Sequence, residues 1–146
     1  MFKNIFKFLA AGFAVMSMAM APTAQSADSN QEKVVYHIND SANASALLRN
    51  VRNHLSAAPG TKIAVVGHGK GIDFMLKDAQ DDKGNPYAVT METLSSEGVD
   101  FKVCNNTLNS RKLTAEAVAY PAKIVPSGVA EIGRLQAKEG YVYLKP

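Results

Sequence analysis

Val99-Asp-Phe-Lys-Val-Cys-Asn-Asn-Thr-Leu-Asn-Ser-Arg-Lys112 changes character at its centre. Val99, Phe101 and Val103 alternate with Asp100 and Lys102, the period of a strand with one face on a core. From Cys104 onward the alternation stops and Asn105, Asn106 and Thr107 follow, residue types suited to the free N–H groups of a helix start. The chain's single cysteine therefore stands where a strand passes into a short helix near Thr107–Lys112. In an open α/β sheet that carboxyl edge is where ligands and reactive groups gather. A helix N-terminus also favours thiolate over thiol, and Arg111 and Lys112 would add positive charge. The opposing reading is a small buried core residue, because free Cys is among the most buried residue types.

The flanking segments repeat the strand-then-helix alternation. Lys33-Val-Val-Tyr-His-Ile38 reads as a first strand, followed by a helix to about Ala57 with Ala44, Leu47, Leu48, Val51 and Leu55 on one face. Lys62-Ile-Ala-Val-Val-Gly67 is a second strand running into a tight turn, Gly67-His-Gly-Lys-Gly71. Ile72, Met75, Leu76 and Ala79 then fit helical spacing, and Pro86 opens a further helix carrying Tyr87, Met91 and Leu94. Ala122–Val125 and Tyr141–Leu144 are short strands, with a helix between them that starts near Pro126-Ser127 and stops at Gly140. Leu113–Tyr120 is Ala-rich and is open to a helical or an irregular reading. Strands alternating with helices imply a parallel sheet covered on both faces, because each parallel return needs a crossover. The expected fold class is α/β, one three-layer domain with a mostly parallel sheet of about five strands.

The N-terminal residues belong to a different category. Lys3 and Lys7 precede an uncharged apolar run from Phe8 to Met20, and Ala24 and Ser26 supply the small residues of a cleavage site. This is the pattern of a secretory signal peptide over residues 1–27, leaving a single domain over residues 28–146. The run is short for a membrane span. The expected location is periplasmic or otherwise exported, with no membrane attachment after cleavage. Lys3 and Lys7 are two of 16 basic residues, so the remaining chain sets fourteen against 13 acidic ones. That near balance, with no basic run interleaved with aromatics, argues against a nucleic-acid partner. An unpaired cysteine in an oxidising compartment is inert and buried, paired between chains, or kept for its reactivity.

Other chemistries fit less well. Gly67-His-Gly-Lys-Gly71 matches neither a P-loop nor a complete dinucleotide fingerprint. His68 could serve a thiolate or polarise a substrate, and an exposed loop histidine without a role is the competing reading. His37, His54, His68 and Cys104 lack the close spacing of metal ligands, so no metal is expected. No G-x-S-x-G elbow is present. Asp40 follows the first strand and either reaches the crevice or caps the first helix. No cofactor motif stands out.

The order of these segments, with Val65-Val-Gly-His-Gly69, Phe101-Lys-Val-Cys-Asn-Asn-Thr-Leu108, Gly128-Val-Ala-Glu-Ile-Gly-Arg-Leu-Gln136 and Gly140-Tyr-Val-Tyr-Leu-Lys145, resembles the DsrE/DsrF-like family, in particular an exported single-domain branch. The resemblance implies a flavodoxin-like fold and a homo-oligomer, trimer or hexamer. It also implies sulfur-relay chemistry, in which a cysteine takes sulfane sulfur as a persulfide and passes it to a partner thiol. By position Cys104 would be that cysteine and His68 its proton partner, with Gly69, Asn105, Asn106, Thr107 and Arg111 forming the binding pocket. The alternative is a non-catalytic oligomer that holds a small anion or metabolite, with Cys104 filling space.

Overall fold

The computed structural model describes residues 31–146. The signal-peptide reading of residues 1–27 lies outside the described residues. Five strands form one sheet: β1 (Lys33–Asp40), β2 (Lys62–Lys70), β3 (Asp100–Cys104), β4 (Lys123–Val125) and β5 (Val142–Leu144). Their spatial order is β4-β3-β2-β1-β5, and every pairing is parallel. Among the described residues four α-helices accompany them: α1 (Ala44–Ala57), α2 (Tyr87–Ser96), α3 (Asn105–Ser110) and α4 (Gly128–Glu139). The expected α/β class with helices on both faces is what the chain adopts.

Strand alternation divides the core in two. Val34, Tyr36, Ile38, Ile63, Val65, Phe101 and Val103 pack on one face with Leu47, Leu48 and Val51 of α1 and Met91 and Leu94 of α2. Val35, Ala64 and Val66 point the other way and meet Ile132 and Leu135 of α4. The central strands are apolar on both faces, as doubly covered parallel strands must be. Polar groups also seat α4. The Lys102 ammonium, 13% exposed, reaches Glu131 at 2.6 Å, and Arg134 meets the same carboxylate at 2.8 Å. Arg134 and Lys102 together hold the Glu131 carboxyl at about 2, against the opposing effect of its partial burial.

Two sequence expectations need correction. No helix spans Ile72–Ala79. A single 3-10 turn covers Asp73–Met75, and Leu76 then bridges Val118 in the antiparallel sense. The Lys77 N–H donates to the Ala117 carbonyl and the Ala119 N–H to the Met75 carbonyl, each at 2.9 Å. Those partners lie far along the chain, so the backbone satisfies itself without a helical ladder while Ile72, Phe74 and Met75 still enter the core. Second, β2 does not end at Gly67. It runs to Lys70, pairing again with β1 at Asp40 after the register shifts by one residue between Ile38 and Asp40. The turn falls at Gly71, where a Cβ would collide with the Ile38 backbone carbonyl. His68 is consequently a strand residue on the α4 face rather than a loop residue.

The depressed Glu131 carboxyl carries a pH signature. A group whose folded pKa lies below its ordinary value contributes stability above that value and loses it as pH falls through the folded one. Glu131→Gln should lower stability by about 1–3 kcal/mol at neutral pH. The difference from the parent chain should shrink as pH drops from 4.5 towards about 2. Urea unfolding at a series of pH values measures it.

Candidate functional site

Connections leaving β1 and β2 stay on the face that carries α1 and α2, and α3 adds Leu108 to that same core. The connection leaving β4 passes to the other face, where α4 lies. The direction of winding therefore changes between adjacent β3 and β4, and a crevice opens at their carboxyl ends. Cys104, the last residue of β3, sits there opposite Val125 of β4. Two helices begin beside it: α3 with the very next residue, and α4 after the Ser127 cap, whose hydroxyl oxygen accepts from the Ala130 N–H. A Cβ on Gly128 would lie 3.2 Å from the Cβ atoms of both Cys104 and His68 and 3.3 Å from the Gly67 carbonyl oxygen. Only glycine lets the first turn of α4 press this closely on the cysteine.

Cys104 is 4% exposed. Burial alone would push its thiol pKa up, yet the opposing interactions win and hold it below the ordinary thiol value. In descending order these are the Gly128 N–H, the Thr107 hydroxyl, the Thr107 N–H and the Asn106 N–H. Cys104 occupies the N-cap position of α3 without a conventional cap bond. The N–H groups of Asn106 and Thr107, which an oxygen cap would satisfy, act on sulfur instead and favour its ionised form. Thr107 is buried, and its hydroxyl oxygen accepts from the Gly69 N–H at 3.0 Å. With that lone pair engaged, its proton is free for the sulfur.

A pocket of about 250 Å³ opens over Cys104, lined also by His68, Asn106, Thr107, Ser110, Ser127 and Val129. His68 and Thr107, proposed from sequence, thus meet the cysteine in space, as does the exposed Asn106. Asn105 is half-buried and is not part of this lining. Gly69 acts on the site through Thr107 and borders an adjoining pocket of about 460 Å³. Arg111 borders that second pocket and is paired with Asp73. Asp40 accepts from the Ala42 N–H and caps the turn before α1. Among the described residues no three of His, Cys, Asp and Glu converge as metal ligands.

Sequence reasoning missed Gly128 and Ser127 as parts of the site. Pro126-Ser127 was legible as a helix start, but nothing local joins it to a cysteine more than twenty residues earlier. It also missed His37, whose Nε2 lies 2.7 Å from the Nε2 of His68 and whose Nδ1 lies 2.7 Å from the Tyr143 hydroxyl.

Fold and site together define an α/β protein with one thiolate-favouring cysteine at the switch point of a five-stranded parallel sheet. A model of the DsrE/DsrF-like family matches residues 14–146, and the chain belongs to that family. Among solved structures it is similar to MTH1491 from Methanobacterium thermoautotrophicum, a protein of unknown function. That match has a TM-score of 0.71 and 29% identity over 80% of this chain and 100% of the other. It is also similar in fold to the ychN protein from E. coli, with a TM-score of 0.67 and 14% identity over 80% of this chain and 100% of that one. No curated protein matches the chain.

Thr107→Val removes the donor to sulfur and the acceptor of the Gly69 N–H in one step. The pH profile of Cys104 alkylation should move upward, and stability should fall by about 1–2 kcal/mol. An unmoved profile in a folded variant would show that the hydroxyl does not act on the sulfur.

Proposed function

We propose that this protein is an exported sulfur handler in which Cys104 takes up sulfane sulfur as a persulfide and delivers it to the thiol of a partner. The observation that carries the reading is the convergence of N–H groups from two helix starts, with the Thr107 hydroxyl, on one cysteine that borders an open pocket. The Cys104 thiolate attacks the outer sulfur of a persulfide or polysulfide donor. A new S–S bond forms as the donor's own S–S bond breaks, and the electron pair leaves on the donor's thiolate. In the second step a partner thiolate attacks that outer sulfur and Cys104 departs as thiolate. The same N–H groups stabilise the sulfur anion at the start and at the end of the cycle. His68 supplies a hydrogen-bonding ring nitrogen beside it.

Export rests on the leader pattern of Lys3, Lys7 and the apolar run after them. Among the described residues no helix is long and apolar enough to cross a membrane. Assembly into a trimer or hexamer is part of the same reading. Exposed apolar residues on both edge strands support it: Ile124 on β4 and Val142, Tyr143 and Leu144 on β5. One observation favours the alternative of a space-filling cysteine in a crevice that binds a small anion: Cys104 is only 4% exposed.

Intact mass separates the two. Incubation with inorganic polysulfide should add ~32 Da (one sulfur atom), reversed by reductant and absent in Cys104→Ser. A parent chain whose thiol alkylates yet gains no mass would rule out the persulfide reading.

A further inference from the structure

We propose that His37, backed by Tyr143, is a positioning residue that determines which nitrogen of His68 carries a proton at the Cys104 site. This rests on the reading of Cys104 as the reacting group. His37 on β1 and His68 on β2 both lie on the α4 side of the sheet, alternating with core residues of the opposite face. Tyr143 on β5 pairs with Val35 and shares that face. The two imidazoles lie 4.7 Å apart between ring centres and 21° from coplanar. Their Nε2 atoms meet at 2.7 Å. At that distance one nitrogen must donate and the other accept.

The consequence is a rule about tautomers. A neutral pair joined Nε2 to Nε2 cannot have both rings in the same tautomer. If His37 carries its proton on Nε2, His68 must carry its own on Nδ1; if His68 donates from Nε2, His37 must be protonated on Nδ1. The Tyr143 hydroxyl, 2.7 Å from the Nδ1 of His37, serves either arrangement by donating in the first and accepting in the second. Doubly charging the pair would set two N–H groups head to head. Burial, the neighbouring His68 and Lys145 together hold His37 below the ordinary imidazole pKa, which favours a neutral His37.

Only one of the two arrangements serves a sulfur anion at Cys104. His68 lines the pocket with Cys104, and its Nε2 is committed to His37. Nδ1 is the nitrogen that remains for the pocket. An ionised sulfur, or a sulfur anion departing from it, favours a donor there. The selected arrangement runs from the Tyr143 hydroxyl to His37 Nδ1, then from His37 Nε2–H to His68 Nε2, leaving His68 as a neutral Nδ1–H donor. The ordinary solution preference for Nε2–H is thereby overridden, and His37 is what overrides it.

Long-range proton–nitrogen NMR on the full chain at neutral pH reads both tautomers directly. The expected result is Nδ1–H on His68 and Nε2–H on His37. In His37→Ala, His68 should return to Nε2–H and the pH profile of Cys104 alkylation should move upward, with several-fold slower reaction at neutral pH. His37→Gln, whose amide can donate to the same nitrogen, should restore both. Tyr143→Phe removes only the hydroxyl of a partly exposed side chain and should weaken the His37 preference without unfolding the chain. Nε2–H on His68 in the parent chain, or no change of its tautomer in folded His37→Ala, would overturn the proposal. Sulfur uptake is read separately by mass. Tautomers that follow this pattern in a chain that gains no sulfur would reject the persulfide reading and leave the positioning of His68 intact.

Discussion

The N–H groups of Asn106, Thr107 and Gly128 reach one sulfur from two helices on opposite faces of the sheet, and that meeting is possible at a single place. It requires adjacent strands whose outgoing connections part company, and β3 and β4 are that pair. Were α4 to return on the face of α1 and α2, Gly128 could not approach Cys104. The features that seat α4 are therefore features of the site. Ile132 and Leu135 close over Val35, Ala64 and Val66, Glu131 locks onto Lys102, and Gly128 removes the side chain that would hold the helix away.

Burial and hydrogen bonding oppose each other at Cys104, and the outcome depends on how the donors are held. Excluding water raises the cost of ionising the thiol, but it also strengthens each N–H group aimed at the sulfur. Backbone donors at helix starts are already oriented and have no other acceptor within their own helix, so little reorganisation opposes them. Thr107 is fixed in turn by the Gly69 N–H, which links the end of β2 to the first turn of α3. The sulfur is thus favoured as an anion by groups that the sheet topology places, rather than by a neighbouring cation. Arg111, the nearest charge suggested by sequence, is engaged with Asp73 in the adjoining pocket.

What could be read in the sequence follows the range of each interaction. The strand ending at Cys104, the two-face apolar pattern of β1 and β2, and the apolar stripes of α1 and α2 are local periodicities, and they appear as expected. Ile72–Ala79 carried a helical apolar spacing but drew its backbone partners from residues 117–119, a choice no local pattern announces. The extension of β2 to Lys70 includes a bulge of its own, two β2 residues standing opposite Asn39 of β1, and it changes His68 from a turn residue into one whose neighbours are set by register. Asn105, Asn106 and Thr107 were legible as a helix start. The residue that takes the cap position is the cysteine itself, which hydrogen-bonding preferences of oxygen-bearing side chains do not reveal. His37, His68 and Tyr143 come from three strands, so their alignment follows only from the sheet order.

A titration of the Cys104 Cβ chemical shift in carbon-13-labelled protein bears most directly on this account, because it follows ionisation at that sulfur without a reagent having to enter the crevice. The account predicts a midpoint clearly below the free thiol value of about 8.5. A midpoint at or above that value would mean that burial outweighs the converging donors, and the site would be a packed core position.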